Sequence, residues 1–153
     1  MRDQQPVHKL SLAVQYASGA QHLPARAQFR RWIKAALQRE AIVTLRIVDE
    51  TEGRELNKKF RGKDYATNVL TFVYDDAGVL AGDIVICAPV VEKEAAAQHK
   101  DLLVHYAHLT IHAALHLQGY AHENDADAAA METLETALML KLRYPDPYQT
   151  TRL

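Results

Sequence analysis

The chain has 153 residues, 48% of them apolar and 24% charged, and a formal net charge of −1. That is the composition of one globular domain, and at this length folding buries roughly 70% of the unfolded chain's surface. The near-neutral balance excludes a global field drawing the protein onto DNA or anionic lipid, so any polyanion contact must come from a local patch.

In chain order, residues 8 to 16 alternate around Leu10, Leu12 and Val14 and predict a strand. Pro24 opens a helix to about Arg39, with Phe29, Trp32, Ile33 and Ala36 on one face. Ala41 to Val48 reads as a second strand, and Thr51 to Phe60 as a short helix with Leu56 and Phe60 inward. Gly62 and the polar residues after it mark a loop. Val69–Val73 and Gly82–Cys87 are two further strands, joined as a hairpin through the turn residues Asp75-Asp-Ala-Gly78. Cys87 lies in an apolar run and reads as a small buried hydrophobe; a single cysteine forms no internal disulfide, which fits a reducing cytoplasm. Pro89 starts a helical stretch. Asp101 caps another that runs to Gln118. A last helix, capped near Asp125, carries the stripe Met131, Leu134 and Leu138, ends before Pro145, and leaves a frayed tail after Tyr144. Leu10 to Ala17 is too short to be a secretory signal, and no apolar run approaches a membrane span. The expected fold class is α+β: one domain over residues 1–153, a small mixed four-stranded sheet packed with about five helices.

The most informative pattern is His112-x-x-x-His116-x-x-Gly119-x-x-His122. Histidines four apart on a helix share a face. Gly119 suits a left-handed cap that ends the helix and lets His122 return as a third nitrogen. Three histidines leave a tetrahedral position open, as in a catalytic zinc site rather than a structural one. The spacing is that of the zinc-peptidase pattern H-E-x-x-H-x-x-G-x-x-H, but Ala113 stands where that pattern has its Glu base. The chain holds eight histidines. His108, one turn before His112, is placed to assist at the metal or carry a proton, although a polar-face or core role is the weightier reading for it and for His105.

A second constellation is basic: Arg54, Lys58, Lys59, Arg61 and Lys63 against Glu55. Arg54, Lys58 and Lys59 read first as a solvated face. Arg61 and Lys63 flank Gly62, where backbone can approach a ligand and a guanidinium fork suits phosphate oxygens. Phe60 and Tyr65 are candidates either to stack an unpaired base or to join the core.

The stretch Leu56-Asn-Lys-Lys-Phe-Arg-Gly-Lys-Asp-Tyr-Ala-Thr-Asn-Val-Leu-Thr-Phe72 resembles the segment that identifies the YbeY family of metal-dependent endoribonucleases. Gly82–Ile86 and His112–His122 are similar to that family's two later blocks, in order and at comparable spacing. The resemblance spans roughly residues 40 to 140. It implies one zinc ion per chain on His112, His116 and His122, and a catalytic Arg61 acting with the metal ligand His112. It also implies an α+β fold with a cleft beside the metal, single-stranded RNA as substrate, and ribosomal RNA and the small ribosomal subunit as cellular targets, in the cytoplasm and away from DNA and membranes. Lys59, Lys63, Tyr65 and His108 are the substrate-binding candidates beside it. The chain departs from the family at Ala113 (usually Gly), Ala121 (usually Asp), Thr71 (usually Ser) and Val73 (usually Pro). With no Glu at position 113, the general base is open between metal-activated hydroxide, His108 and the 2′-hydroxyl of the RNA. Two other functions stand beside this one: a zinc peptidase-like hydrolase, and a non-catalytic ribosome assembly factor with structural zinc.

Overall fold

A computed structural model describes residues 8–121 and 123–149. In chain order the elements are β1 (Leu10–Ala17), α1 (Arg26–Ala36), β2 (Ala41–Val48), α2 (Glu50–Arg61), β3 (Val69–Asp75), β4 (Leu80–Cys87), α3 (Ala88–Ala97), α4 (Leu102–Leu117) and α5 (Asp125–Lys141). The four strands form one mixed sheet in the order β1-β2-β4-β3. β1, β2 and β4 run parallel, and β3 closes one edge antiparallel to β4. The expected α+β class, the β3–β4 hairpin and the five helices are all present.

Side-chain alternation divides the sheet into two faces. Val43, Leu45, Ile47, Ile84 and Ile86 point to one face and join Phe29, Trp32 and Ile33 of α1 and Tyr106, Ile111 and Leu115 of α4 in the main core. Val48, Leu70, Val85 and Cys87 point to the other face and meet Leu56 of α2 and Phe72 in a smaller cluster. α4 therefore lies inside the molecule, between the sheet, α1 and α5. Its seat on the sheet is Gly82. A Cβ there would come within 2.6 Å of the Phe72 carbonyl oxygen and 2.9 Å of Leu117 Cδ2. Only a glycine lets β4, β3 and the end of α4 approach this closely.

Two expectations are corrected. Phe60 does not point inward: it is 55% exposed, its ring edge-on to Phe72 at 5.0 Å, because the inward face of α2 is built on Gly53 and Asn57. The buried stripe of α5 is Met131, Glu135 and Met139, with Leu134 and Leu138 only packed against its flanks. The cap of α5 is Asn124, whose side chain accepts from the Asp127 N–H at 2.8 Å. Residues 145–149, where the sequence suggests fraying, run back along α5 as a strap. Asp146 Oδ1 accepts from Thr136 Oγ1 at 3.4 Å, and Lys100 Nζ donates to the Pro147 carbonyl at 3.0 Å. Among the described residues, no helix is long and apolar enough to cross a membrane.

Candidate functional site

α4 starts at Asp101, whose carboxylate accepts from the Val104 N–H at 3.2 Å. The helix is apolar on nearly every side. Ten of its residues are buried, and beyond Val104 the partly exposed positions are His108, His112 and His116. Their four-residue spacing stacks them along one face. The His112 and His116 rings lie 6.0 Å apart and within 24° of parallel.

Each ring is oriented from outside its own helix. His116 Nδ1 lies 2.7 Å from the Tyr120 carbonyl. A carbonyl only accepts, so the Nδ1–H of His116 donates and Nε2 carries the lone pair. That carbonyl is delivered by the turn after the helix. Gly119 sits at φ +99°, and the Tyr120 N–H returns to the Leu115 carbonyl at 3.2 Å. The glycine expected to end the helix thus also aims a ligand candidate.

His112 Nδ1 lies 3.1 and 3.3 Å from the two carboxylate oxygens of Glu135 on α5. Glu135 is wholly buried and also accepts from His108 Nε2 at 2.7 Å and from the Tyr148 hydroxyl at 2.7 Å. Burial alone would raise its pKa, but the hydrogen bonds from His108, His112 and Tyr148 hold it down to about 2. The carboxylate is therefore ionised and can only accept. It follows that His112 donates from Nδ1 and keeps its lone pair on Nε2. Burial, and then the carboxylate it faces, pushes the Tyr148 hydroxyl well above the usual phenol range, so Tyr148 is a fixed donor. Two imidazoles in the same tautomer, on one helix face, are a donor set suited to a borderline cation such as zinc. His122 lies outside the described residues, and among those described no three His, Cys, Asp or Glu side chains are arranged so that they could hold a metal ion.

His108 is turned to Glu135 with its edge against the Tyr148 ring at 5.3 Å. Its side chain is only 12% exposed, so it serves the carboxylate rather than the surface. His105, 4% exposed and bonded to Glu94 at 3.0 Å, is the core histidine that the sequence suggests. Sequence reasoning missed Glu135 and Tyr148. The available signal was a glutamate four residues from each of two methionines, inside an apolar stripe.

The basic turn forms between α2 and β3. α2 ends on Gly62 at φ +71°, with Gly62 N–H to the Lys58 carbonyl and Lys63 N–H to the Asn57 carbonyl. This is an αL cap, closed by the bond from Gly62 N–H to the Lys58 carbonyl, and its left-handed residue favours glycine. The loop beyond is stapled to the helix twice: Arg54 forks onto Asp64 at 2.8 and 3.1 Å, and buried Asn57 donates to the Tyr65 carbonyl at 2.7 Å. Arg61, Lys63 and Tyr65 project from this frame into solvent. Lys59 Nζ lies over the Phe60 ring, 5.2 Å from its centre. Arg54 is committed to Asp64, whereas Arg61 has no hydrogen-bond or ion-pair partner among the described residues. β3 runs from this loop to pack on α4. No bond or ring contact among the described residues joins the basic turn to the histidine face.

Fold and site together define a small α+β protein with a carboxylate-oriented histidine helix packed on an edge strand and a basic, glycine-capped turn leading into that strand. Residues 15–143 match the profile of a family described as Endoribonuclease YbeY. The chain is 59% identical to the Endoribonuclease YbeY of Nitrosomonas europaea, over 92% of this chain and 85% of that one. It is 54% identical to the protein of the same name from Methylobacillus flagellatus, over 94% and 97%. The solution structure of TM1509 from Thermotoga maritima shares the fold, with a TM-score of 0.53 and 24% identity over 90% of this chain and 99% of that one. The chain belongs to the Endoribonuclease YbeY family.

Proposed function

We propose that this protein is a single-strand-specific, metal-dependent endoribonuclease acting in ribosomal RNA maturation at the 16S 3′ end and in small-subunit quality control. The observation that carries the metal-dependent part is the matched pair of tautomers. His112 and His116 both give Nδ1–H to an acceptor and both present Nε2 as the lone-pair nitrogen. Held so, His112, His116 and His122 would bind one zinc ion. When bound, zinc supplies Lewis acidity that brings water into the neutral titration range and polarises a phosphate oxygen.

The remaining work falls to the chain's own groups. Arg61 binds the phosphate under attack and neutralises the charge that builds on it, a role that suits a guanidinium with no partner among the described residues. Lys59 and Lys63 hold flanking phosphates. Tyr65, 55% exposed beside them, offers a face to an unpaired base. Ala113 is buried, so no peptidase-type base reaches the site from that position, which disfavours peptide hydrolysis.

The test is cleavage of a single-stranded ribosomal RNA fragment by Arg61→Ala and His116→Ala. Arg61→Ala should lose about 10²–10³-fold in rate while binding zinc normally; His116→Ala should lose both metal and cleavage. RNA cleavage that survives both changes rules out this assignment, and casein cleavage in parallel would favour the peptidase.

A further inference from the structure

We infer that Glu135 is a positioning residue for His112, and that Tyr148 on the C-terminal strap holds Glu135 to that task. The inference rests on the reading of His112 as a metal ligand. It assigns a function to a helix and a strap that carry none of the ligand motif.

The burial is the first observation. Glu135 is wholly buried at the centre of the α5 stripe, flanked by Met131 and Met139. Among the described residues no lysine or arginine pairs with it; its only ion-pair partners are His108 and His112. Burying a carboxylate is costly unless it is paired and fully hydrogen-bonded, and an apolar residue of similar volume fills such a stripe more cheaply. A methionine at this position would continue the pattern on either side. The fold instead places a carboxyl group there and surrounds it with three hydrogen-bonding side chains, His108, His112 and Tyr148. A cation one imidazole away is the partner that gives this buried polar group a purpose. A carboxylate on the far nitrogen fixes the ring's tautomer and orientation and makes the metal-facing nitrogen more basic.

The geometry is the second observation. Oε1 receives His108 Nε2 at 2.7 Å and the Tyr148 hydroxyl at 2.7 Å, while Oε2 lies 3.1 Å from both His112 Nδ1 and the Tyr148 hydroxyl. Donors from two directions stop the carboxylate rotating away from His112. Tyr148 is itself fixed through the strap: its N–H donates to Asp146 Oδ1 at 2.8 Å, and the neighbouring Pro147 carbonyl is held by Lys100. The orientation of His112 is thus referred, through one carboxylate, to α5, the strap and the start of α4.

The test uses the full chain, with zinc affinity measured by competition against a chromogenic chelator and thermal unfolding followed with and without zinc. Glu135→Gln keeps the shape and still accepts from His112 and Tyr148. We expect its zinc affinity to fall about 10–100-fold while the zinc-free protein unfolds near the wild-type temperature, so the stabilisation by zinc shrinks. Tyr148→Phe should weaken zinc binding in the same direction and by less. Nitrogen NMR of the zinc-free wild type should show His112 protonated on Nδ1, with that tautomer less populated in Glu135→Gln. Zinc affinity within twofold of wild type in a folded Glu135→Gln overturns the inference. So does unchanged affinity in Tyr148→Phe if Glu135→Gln does not fold. A wild-type protein that binds no zinc overturns the proposed function instead, which keeps the two failures apart.

Discussion

Gly119→Ala isolates one torsion angle. Gly119 sits at φ +99°, and a Cβ built there meets nothing within 4 Å, so the cost of alanine is torsional and not a clash. Holding an L-residue in the left-handed region costs about 1–2 kcal/mol. In a domain of this size each kcal/mol lowers the melting temperature by about 2–4 °C, which gives an expected fall of about 2–8 °C. The turn can escape that strain only by rotating its peptides. Rotation withdraws the Tyr120 carbonyl from His116 Nδ1, now 2.7 Å away. Zinc affinity would then fall about 10–100-fold, as for loss of other groups that orient a ligand. The variant must lose stability or metal, and Gly119→Asn should lose less of either, because asparagine tolerates this region better. Differential scanning calorimetry of the zinc-free protein and a zinc competition titration read the two losses. A melting temperature within about 1 °C of wild type together with zinc affinity within twofold would refute the coupling of helix end to ligand.

Gly82→Ala should destabilise by about 1–3 kcal/mol in urea unfolding, since its Cβ meets a backbone oxygen that cannot step aside; an unchanged midpoint would contradict the close seating of α4 on the sheet. Burial, and then the nearby Glu50 and Asp49, raises the pKa of the Cys87 thiol, so at mildly alkaline pH it should react with a thiol reagent only on unfolding. Rapid labelling of the native protein would show that its cluster opens. Chelation should abolish RNA cleavage while the far-ultraviolet circular dichroism persists, and cleavage that continues without metal would remove the metal from the reaction. If Lys59, Arg61 and Lys63 each neutralise one phosphate, the affinity for single-stranded RNA should fall with salt at a log–log slope of about −2, and each alanine variant should flatten it by about 0.7; a slope near zero would exclude the basic turn as the RNA contact.

The parts of the fold legible in the sequence are those written in local periodicity. The face of α1, Phe29, Trp32, Ile33 and Ala36, is buried as its spacing predicts, and β2 spans Ala41–Val48 as read. Asp101 caps α4, because a carboxylate before an apolar run has one local use. The placing of His112 and His116 on one face follows from their spacing alone. What the sequence hides is set by contacts between distant segments. Phe60 reads as inward from its apolarity, but the inward direction of α2 is decided by small Gly53 packing near Cys87. Glu135 is 23 residues from His112, and no local pattern links the two before α5 is seen to turn that side inward. The acceptor for His116 is a main-chain carbonyl, which no side-chain motif records.

The strap that returns along α5 also orders events in time. Chains emerge from the ribosome N-terminal end first and tend to fold in that order. α4 therefore leaves well before the carboxylate of Glu135, which follows His112 by 23 residues, and before Tyr148, a further 13 along. A nascent chain that has released only α4 has His108 and His112 without the carboxylate that anchors them. The centre matures only when the last of these side chains arrives, so on a nascent chain His112 exists before the groups that orient it.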